Sequence, residues 1–306
     1  MSFFKTLVFC IIVWIPLFSK VQIRQAGSST IYPFALKVAA EFSKNANHIV
    51  PFLESTGSTK GFSLLSVNGG ALDYDIIGSS RKIRLDELDR IKKAGINLSE
   101  ICIGLDGVVA ITRKNQSLFK NLRLKDINLA LKEKIKNKQN QIMDNPYKTW
   151  HEINADLPNI PIRILISPKN HATRDMFELI LSDEIRKAPE VRELDKSEMD
   201  ESHELLFDFL EKNDNYIAFV GINRLNHHNE NFEAIPIDSI EPTFANIQSE
   251  KYPLTRKLYL YVKTYNYKTT EGLREYLAEW QSSRAIGEEG YLTKMGLIPI
   301  TSNNQD

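Results

Sequence analysis

The sequence predicts an open α/β fold, because strand-like segments alternate with helix-like segments along the chain. Short apolar runs such as "YDIIGSS" (74–80) have the length and residue types of buried strands. Amphipathic runs such as "EGLREYLAEWQSS" (271–283) have apolar residues at helical spacing. The 306 residues are 42% hydrophobic and 25% charged, which is typical of a globular protein. Two long apolar strands, at 101–113 and 257–263, look like connections between two lobes.

The first third of the chain has a strict strand–helix rhythm. Its strands are predicted at "VQIRQAG" (21–27), "IVPFLES" (49–55), "YDIIGSS" (74–80) and "ICIGLDGVVAITR" (101–113). Its helices are predicted at "YPFALKVAAEFSKNA" (32–46), "STKGFSLLSVNGG" (58–70) and "LDELDRIKKAG" (85–95). Pro33 fits the first turn of its helix, where a missing N–H costs nothing. Gly95 fits the end of the third helix, where a left-handed residue is common.

The rest of the chain continues the pattern, with one charged interruption. The predicted elements are the strands "PIRILIS" (161–167), "YIAFVGI" (216–222) and "KLYLYVKTY" (257–265), and the helices 173–186, 202–213 and 271–283. The charged run "LKEKIKNKQNQ" (131–141) is expected to be a solvated helix end and loop.

A chain that crosses into a second lobe and then returns makes the first lobe discontinuous. We therefore expect lobe 1 at 21–107 plus 257–306 and lobe 2 at 108–256. A ligand of such a protein lies between the lobes, which close on it by hinge motion.

The N-terminus has the composition of a secretory signal peptide. Lys5 precedes the apolar stretch 6–19, which is shorter than the about 20 residues that span a bilayer. A signal peptide is expected at 1–20, cleaved between Ser19 and Val21, and the alternative is an uncleaved anchor. Export to the periplasm would leave Cys102 as the single cysteine of the mature chain, so no intramolecular disulfide could form. The 39 basic and 39 acidic residues balance, which does not favour nucleic acid as a partner.

Four predicted strand-to-helix turns carry hydroxyl groups. They are "AGSSTIYPF" (26–34), "ESTGSTKG" (54–61), "GSSRK" (78–82) and "PKNHATRD" (168–175). One such turn is explained by helix capping, because Ser and Thr accept from the free amides of the first helical turn. Ligands of open α/β sheets bind beyond the carboxyl ends of the strands, where helix N-termini attract anions. Four turns of one kind therefore predict a tetrahedral oxyanion held by amides and hydroxyls.

The order and spacing of several motifs resemble those of the phosphate-specific periplasmic binding proteins of ABC transporters. These motifs are "GSSTIYPF", "ESTGST", "DIIGSSR", "GLDGVVAITR", "TWHEIN", "TRDMF", "YPLTRKLYLYV" and "GYLTKMGLIPI", and they extend from about residue 22 to 301. The resemblance implies two α/β lobes joined by hinge strands that close on a dehydrated phosphate. It also implies a monomer that needs no cofactor and whose partners are inorganic phosphate and the membrane permease subunits of a transporter.

The resemblance carries the family's phosphate contacts onto the four turns. The implied phosphate-binding residues are Ser29, Thr30, Ser58, Ser80, Arg81, His171, Ala172, Thr173 and Arg174. His171 and Ala172 depart from the Ser-Gly that the family usually has before this threonine. Glycine lets backbone approach an anion closely, so the two departures bear directly on the strength of the site.

A further departure concerns selectivity between phosphate and sulfate. Well-studied members of the family resemble one another in having an aspartate at the third turn, where it accepts the proton of monohydrogen phosphate. Sulfate lacks that proton at neutral pH, so such an acceptor discriminates between the two anions. This chain has Ser80 there, which both donates and accepts. Asp106 is another candidate acceptor, and its alternative role is that of a hinge-turn residue.

Two other classes of function stay open at the level of sequence. An enzyme would need a nucleophile or metal site, but the chain lacks the Gly-x-Ser-x-Gly motif, a P-loop and a dinucleotide fingerprint. The histidines at 48, 151, 203, 227 and 228 lack metal-ligand spacing and are expected to be structural or at the surface. The second class is a degenerate family member, either a sensor or an interaction protein, or a binder of another oxyanion such as sulfate.

Overall fold

The computed structural model describes residues 22–44, 48–65, 73–114, 118–137, 139–166, 173, 191–193 and 204–300. The predicted signal peptide lies outside this part of the chain, as do the predicted helix 173–186 beyond Thr173 and the end of the predicted helix 58–70. None of the helices in the described ranges has the length and hydropathy needed to cross a membrane.

The described elements follow the predicted alternation. The strands are β1 Arg24–Gly27, β2 Phe52–Ser55, β3 Ile76–Ser79, β4 Leu98–Arg113, β5 Lys134–Lys136, β6 Ile142–Asp144, β7 Ile164–Ile166, β8 Val191–Glu193, β9 Ile217–Gly221, β10 Phe232–Ile235 and β11 Thr255–Lys263. The longer helices are α1 Tyr32–Ser43, α2 Ser58–Leu65, α3 Leu85–Lys93, α4 Leu124–Leu131, α6 Glu204–Lys212 and α10 Leu273–Trp280. The short ones are α5 Trp150–Ile153, α7 Ile222–His227, α8 Phe244–Gln248, α9 Asn266–Thr269, α11 Ser283–Ile286 and α12 Tyr291–Lys294.

The main sheet of the described residues has nine strands in the order β2-β1-β3-β11-β4-β9-β7-β8, with β10 also paired to β4, and β5 and β6 form a separate two-stranded sheet. β1 is parallel to both of its neighbours, and Gly27 at its end is level with Ser55 of β2 and Gly78 of β3. The carboxyl ends of these three strands therefore lie side by side. This is the edge at which ligands of open α/β sheets bind.

Strand β4 joins two halves of the sheet. Its segment Leu98–Gly107 is antiparallel to β11, whereas its segment Val108–Arg113 pairs with β9 and β10. The first half of the sheet consists of β1, β2, β3, β11 and the start of β4, and the second half consists of β7 to β10 and the end of β4. The predicted mixed α/β, two-lobed fold is confirmed. The exact lobe boundaries stay a prediction.

Each half of the sheet has its own hydrophobic core. α1 and α10 cover one face of the first half, where Trp280, Tyr276 and Val38 are almost completely buried. α2 and α3 cover the other face with a smaller cluster around Phe62 and Tyr261. The second half has a separate and larger core. Because apolar burial stabilises each half independently, a relative motion of the halves does not require either core to open.

The prediction for residues 131–141 is wrong in one respect. The helix ends at Leu131 as expected, but the charged run then forms the antiparallel hairpin of β5 and β6 rather than a loop. The turn is specified by the side-chain oxygen of Asn137, which accepts from the N–H groups of Gln139 and Gln141. Asn140 adopts the left-handed conformation, which asparagine tolerates better than most residues.

Candidate anion-binding site

A small cavity of about 70 Å³ lies at the carboxyl ends of the central strands, and we call it the interlobe cavity. Both halves of the sheet contribute to its wall, which consists of Ser29, Thr30, Tyr32, Pro33, Ser55, Asp106, Thr173, Gly221, Asn223, Arg224 and Arg256. Pockets for drug-sized ligands are larger, at about 300 to 1,000 Å³. The interlobe cavity is therefore suited to a small ion rather than to a nucleotide or a sugar.

The first hydroxyl-bearing turn both starts a helix and lines the cavity. The carbonyl of Ser28 accepts from the N–H groups of Ile31 and Tyr32, at 3.1 and 3.0 Å, and so closes the turn that leads into α1. The Ser28 hydroxyl accepts from the Thr30 N–H at 3.2 Å. Ser28 is thus used in the turn itself, whereas Ser29 and Thr30 face the cavity. Helix capping does not explain the hydroxyls of this turn, because the N-cap residue of α1 is Ile31 and no side chain caps this helix.

Gly27 brings the first three turns together. Its carbonyl accepts from the N–H groups of Thr56 and Gly57 in the second turn, at 2.9 and 2.8 Å. The next residue, Ser28, donates its N–H to the carbonyl of Gly78 just before the third turn. At Gly27, φ is +128° and an added Cβ would lie 2.0 Å from the Gly78 oxygen. Only glycine fits this close approach of two strand ends.

The second and third turns meet through their serines. The hydroxyls of Ser58 and Ser80 are 3.4 Å apart, and the Ser58 hydroxyl accepts from the Ser80 N–H at 3.3 Å. Both residues are buried. In this part of the chain they contact each other rather than the wall of the interlobe cavity. Their role as phosphate ligands stays a prediction.

Arg81 forms a buried ion pair with Glu87 at the start of α3. Nη1 and Nη2 donate to the two carboxylate oxygens at 2.8 and 2.7 Å. This bidentate geometry makes a strong arginine–carboxylate pair. Nη2 also donates to the Thr59 hydroxyl, and Nη1 donates to the Lys82 carbonyl. The structure thus directs the Arg81 guanidinium toward α2 and α3. Its predicted contact with the anion stays a prediction.

Arg256 is a site residue that the sequence-based prediction missed. It is 7% exposed, and its Nε and Nη2 donate to Oδ2 of Asp106 at 3.0 and 2.6 Å. Nη2 also donates to the Thr30 hydroxyl at 3.0 Å. The motif "YPLTR" that contains Arg256 is part of the family resemblance, so a signal was present. Asp106, considered above as an acceptor or a hinge-turn residue, lines the cavity and is the partner of this guanidinium.

The second half of the sheet contributes two further strand-to-helix turns. Thr173, in the fourth hydroxyl-bearing turn, is 2% exposed and lines the cavity. His171, Ala172 and Arg174 lie outside the described residues. Asn223 and Arg224, at the start of α7 directly after β9, also line the cavity and were not predicted. They belong to a fifth strand-to-helix turn, "VGINR", which lacks hydroxyl groups and was therefore overlooked.

Features typical of an enzyme centre are not seen in the described ranges. Within them, no group of three or more His, Cys, Asp or Glu side chains is arranged to hold a metal ion. His48 stacks on Phe42, and His228 stacks on Phe207. Burial raises the pKa of the Cys102 thiol, which disfavours the nucleophilic thiolate.

A small cavity between two α/β halves that share strand β4 is the arrangement typical of two-lobed binding proteins. The chain belongs to the PBP superfamily, whose domain model matches residues 19–284.

Comparison with individual proteins confirms the family resemblance. The phosphate-binding protein PstS of Staphylococcus saprophyticus is 23% identical over 261 residues, which are 84% of this chain and 74% of the relative. PstS of Staphylococcus haemolyticus is 24% identical over 263 residues, or 84% and 76% of the two chains. The crystal structure of an ABC-type phosphate transport receptor from Vibrio cholerae superposes with a TM-score of 0.69, at 18% identity, over 90% of this chain and 99% of that one. This last similarity shows that the fold is shared.

Proposed function

We propose that this protein is an extracytoplasmic solute-binding protein that captures inorganic phosphate in the interlobe cavity and delivers it to an ABC transporter for import. The observation that carries the proposal is the cavity itself, which is ion-sized, lined by hydroxyls and adjoined by the buried guanidinium of Arg256. The names of the relatives support phosphate as the ligand.

The chemistry of the wall suits a dehydrated oxyanion. An anion that leaves water needs its hydrogen bonds replaced and its charge compensated, or burial is prohibitively costly. Ser29, Thr30 and Thr173 supply hydroxyl donors, and the N-terminus of the twelve-residue helix α1 adds a partial positive charge. We propose that Ser58, Ser80 and Arg81 support this site from the neighbouring buried cluster. We further propose that His171, Ala172 and Arg174 complete the fourth turn.

Binding of one phosphate per chain is the direct test of this function. Protein stripped of ligand and titrated with phosphate should release heat with a micromolar dissociation constant, which corresponds to about −8 kcal/mol. A parallel titration with sulfate measures selectivity, because only phosphate brings a proton that Asp106 or Ser80 can accept. The absence of binding heat, together with an unchanged melting temperature at millimolar phosphate, would rule the proposal out. A response to sulfate alone would favour the alternative of another oxyanion.

Phosphate should also close the two halves of the protein. Thr30 lies in the first half and Thr173 follows a strand of the second, so an anion that contacts both binds the closed form more tightly. A ligand with such differential affinity shifts the population toward closure. We expect the radius of gyration from solution X-ray scattering to fall on addition of phosphate. Chloride at the same ionic strength is the control, and identical curves in phosphate and chloride would contradict the hinge mechanism.

Export through the signal peptide would bring this protein to the periplasm, where its partners would be the permease subunits. We propose that it acts there as a monomer without catalytic turnover. Incubation with a phosphoester tests the last point. An enzyme would release more than one phosphate per protein molecule. A folded protein that binds no oxyanion would instead be a degenerate member, acting as a sensor or an interaction protein.

A further inference from the structure

Two buried arginines lie close to the hydroxyl-bearing turns, and they are held in different ways. Arg81 is 3% exposed, and its two terminal nitrogens donate to Glu87 of α3, Thr59 of α2 and Lys82 in the turn after β3. Arg256 is also buried, but it lies in the wall of the interlobe cavity. The two guanidinium groups therefore have the same charge but different surroundings.

Arg256 joins three elements at the point where the halves of the sheet meet. In the sheet it is the direct partner of Asp106, one residue before the end of the segment of β4 that pairs with β11. Its Nε and Nη2 both donate to Oδ2 of Asp106, and Nη2 also donates to the hydroxyl of Thr30 in the first turn. Asp106 and Thr30 themselves line the cavity. The guanidinium plane is thus fixed by residues that are part of the same wall.

This arrangement provides what a buried anion requires. A guanidinium stays charged at any working pH, and its planar set of donors matches the oxygens of phosphate. Arg224 also lines the cavity, but it is only half-buried, so water screens its charge more strongly. Of the arginines described in this wall, Arg256 is the more deeply buried.

We infer that Arg256 is the cationic ligand of the bound anion and that Asp106 and Thr30 orient its guanidinium toward it. The inference rests on the proposed function. It places the charge that compensates the ligand on β11, opposite the point in β4 where the two halves of the sheet meet, rather than on one of the hydroxyl-bearing turns. The two halves of the sheet would then close around a cation that lies where they join.

The test compares substitutions of Arg256 with a control substitution of Arg113 by calorimetry with phosphate at one ionic strength. Arg256→Lys keeps the charge and loses the planar set of donors, so we expect binding weaker by about tenfold. Arg256→Gln also loses the charge, and we expect a loss of about a hundredfold, the upper end for a hydrogen bond to a charged group. Arg113→Lys, in the exposed pair with Asp214 and outside the cavity wall, is the matched control and should remain within about threefold of the parent.

A double-mutant cycle separates direct contact from an indirect effect through Thr30. If Arg256 only positions the Thr30 hydroxyl, the loss caused by Arg256→Gln should disappear in the Thr30→Val background. If Arg256 contacts the anion, most of the loss should persist there. Melting curves of every variant show which of them are folded.

A measurement on the unsubstituted protein covers the case in which the Arg256 variants do not fold. In protein labelled with 15N-arginine, the Nε–H resonance of Arg256 should shift on addition of phosphate, and that of Arg113, in its exposed pair with Asp214, should not. Parent-like affinity of Arg256→Lys and Arg256→Gln, or an unshifted Arg256 resonance in protein that binds phosphate, would overturn the inference alone. A parent that binds no phosphate would overturn the proposed function and this inference with it.

Discussion

Replacing Gly27 by alanine is expected to lower the free energy of unfolding by about 4 kcal/mol. The backbone conformation, with φ at +128°, costs about 1 to 3 kcal/mol for a residue with a side chain. The added Cβ would lie 2.0 Å from the Gly78 oxygen, and relieving such an overlap in a packed region costs about 1 to 3 kcal/mol more. Because Gly27 also ties together the first three turns, the variant should lose phosphate binding even where it remains folded.

Gly95→Ala is the matched control, since it makes the same change at a site without crowding. There φ is +75°, and an added Cβ meets no atom within 4 Å. The left-handed conformation alone should cost about 1 to 2 kcal/mol. Denaturant unfolding followed by circular dichroism measures both variants. Equal losses at the two positions would show that the close approach of the strand ends at Gly27 is not the source of the effect.

Glu87→Gln is expected to lower the free energy of unfolding by about 3 to 5 kcal/mol, the usual cost of leaving a buried charge without its partner. The side chains of Arg81 and Glu87 are 1% and 2% exposed, so water cannot replace the lost carboxylate. Glutamine retains the shape of the side chain and can still accept from the Arg84 N–H, as Glu87 does at 2.9 Å. The substitution therefore isolates the charge of the pair from its role in starting α3.

Two comparisons make this result specific to the buried pair. Asp214→Asn removes one charge from the exposed pair with Arg113, whose atoms are 3.0 Å apart, and should cost no more than about 1 kcal/mol. The double variant Arg81→Leu, Glu87→Leu removes both buried charges and should recover much of the stability lost in Glu87→Gln. A Glu87→Gln protein as stable as Asp214→Asn would refute the argument.

Local patterns in the sequence determined the elements and the turns that connect them. Apolar runs were enough to predict β1, α1, β3, β4 and β11. In each of these elements, the apolar pattern and its length can be recognised within a short stretch of the sequence. The placement of hydroxyl groups directly after strands predicted the edge of the sheet at which Ser29, Thr30 and Thr173 line the cavity. The hairpin of β5 and β6 was missed because its three-residue strands are too short to show a period.

Only the tertiary structure decided which side chains face the interlobe cavity. Arg81 follows a hydroxyl-bearing segment and Arg256 lies at the start of an apolar strand. Neither segment by itself predicts that Arg81 pairs with Glu87, whereas Arg256 pairs with Asp106 in the cavity wall. Asp106 and Arg256 are 150 residues apart, and they meet because β11 pairs with β4 in one register. A slip of one residue would turn Arg256 to the opposite face of the sheet. Register depends on the packing of whole strands, which no short window of the sequence contains.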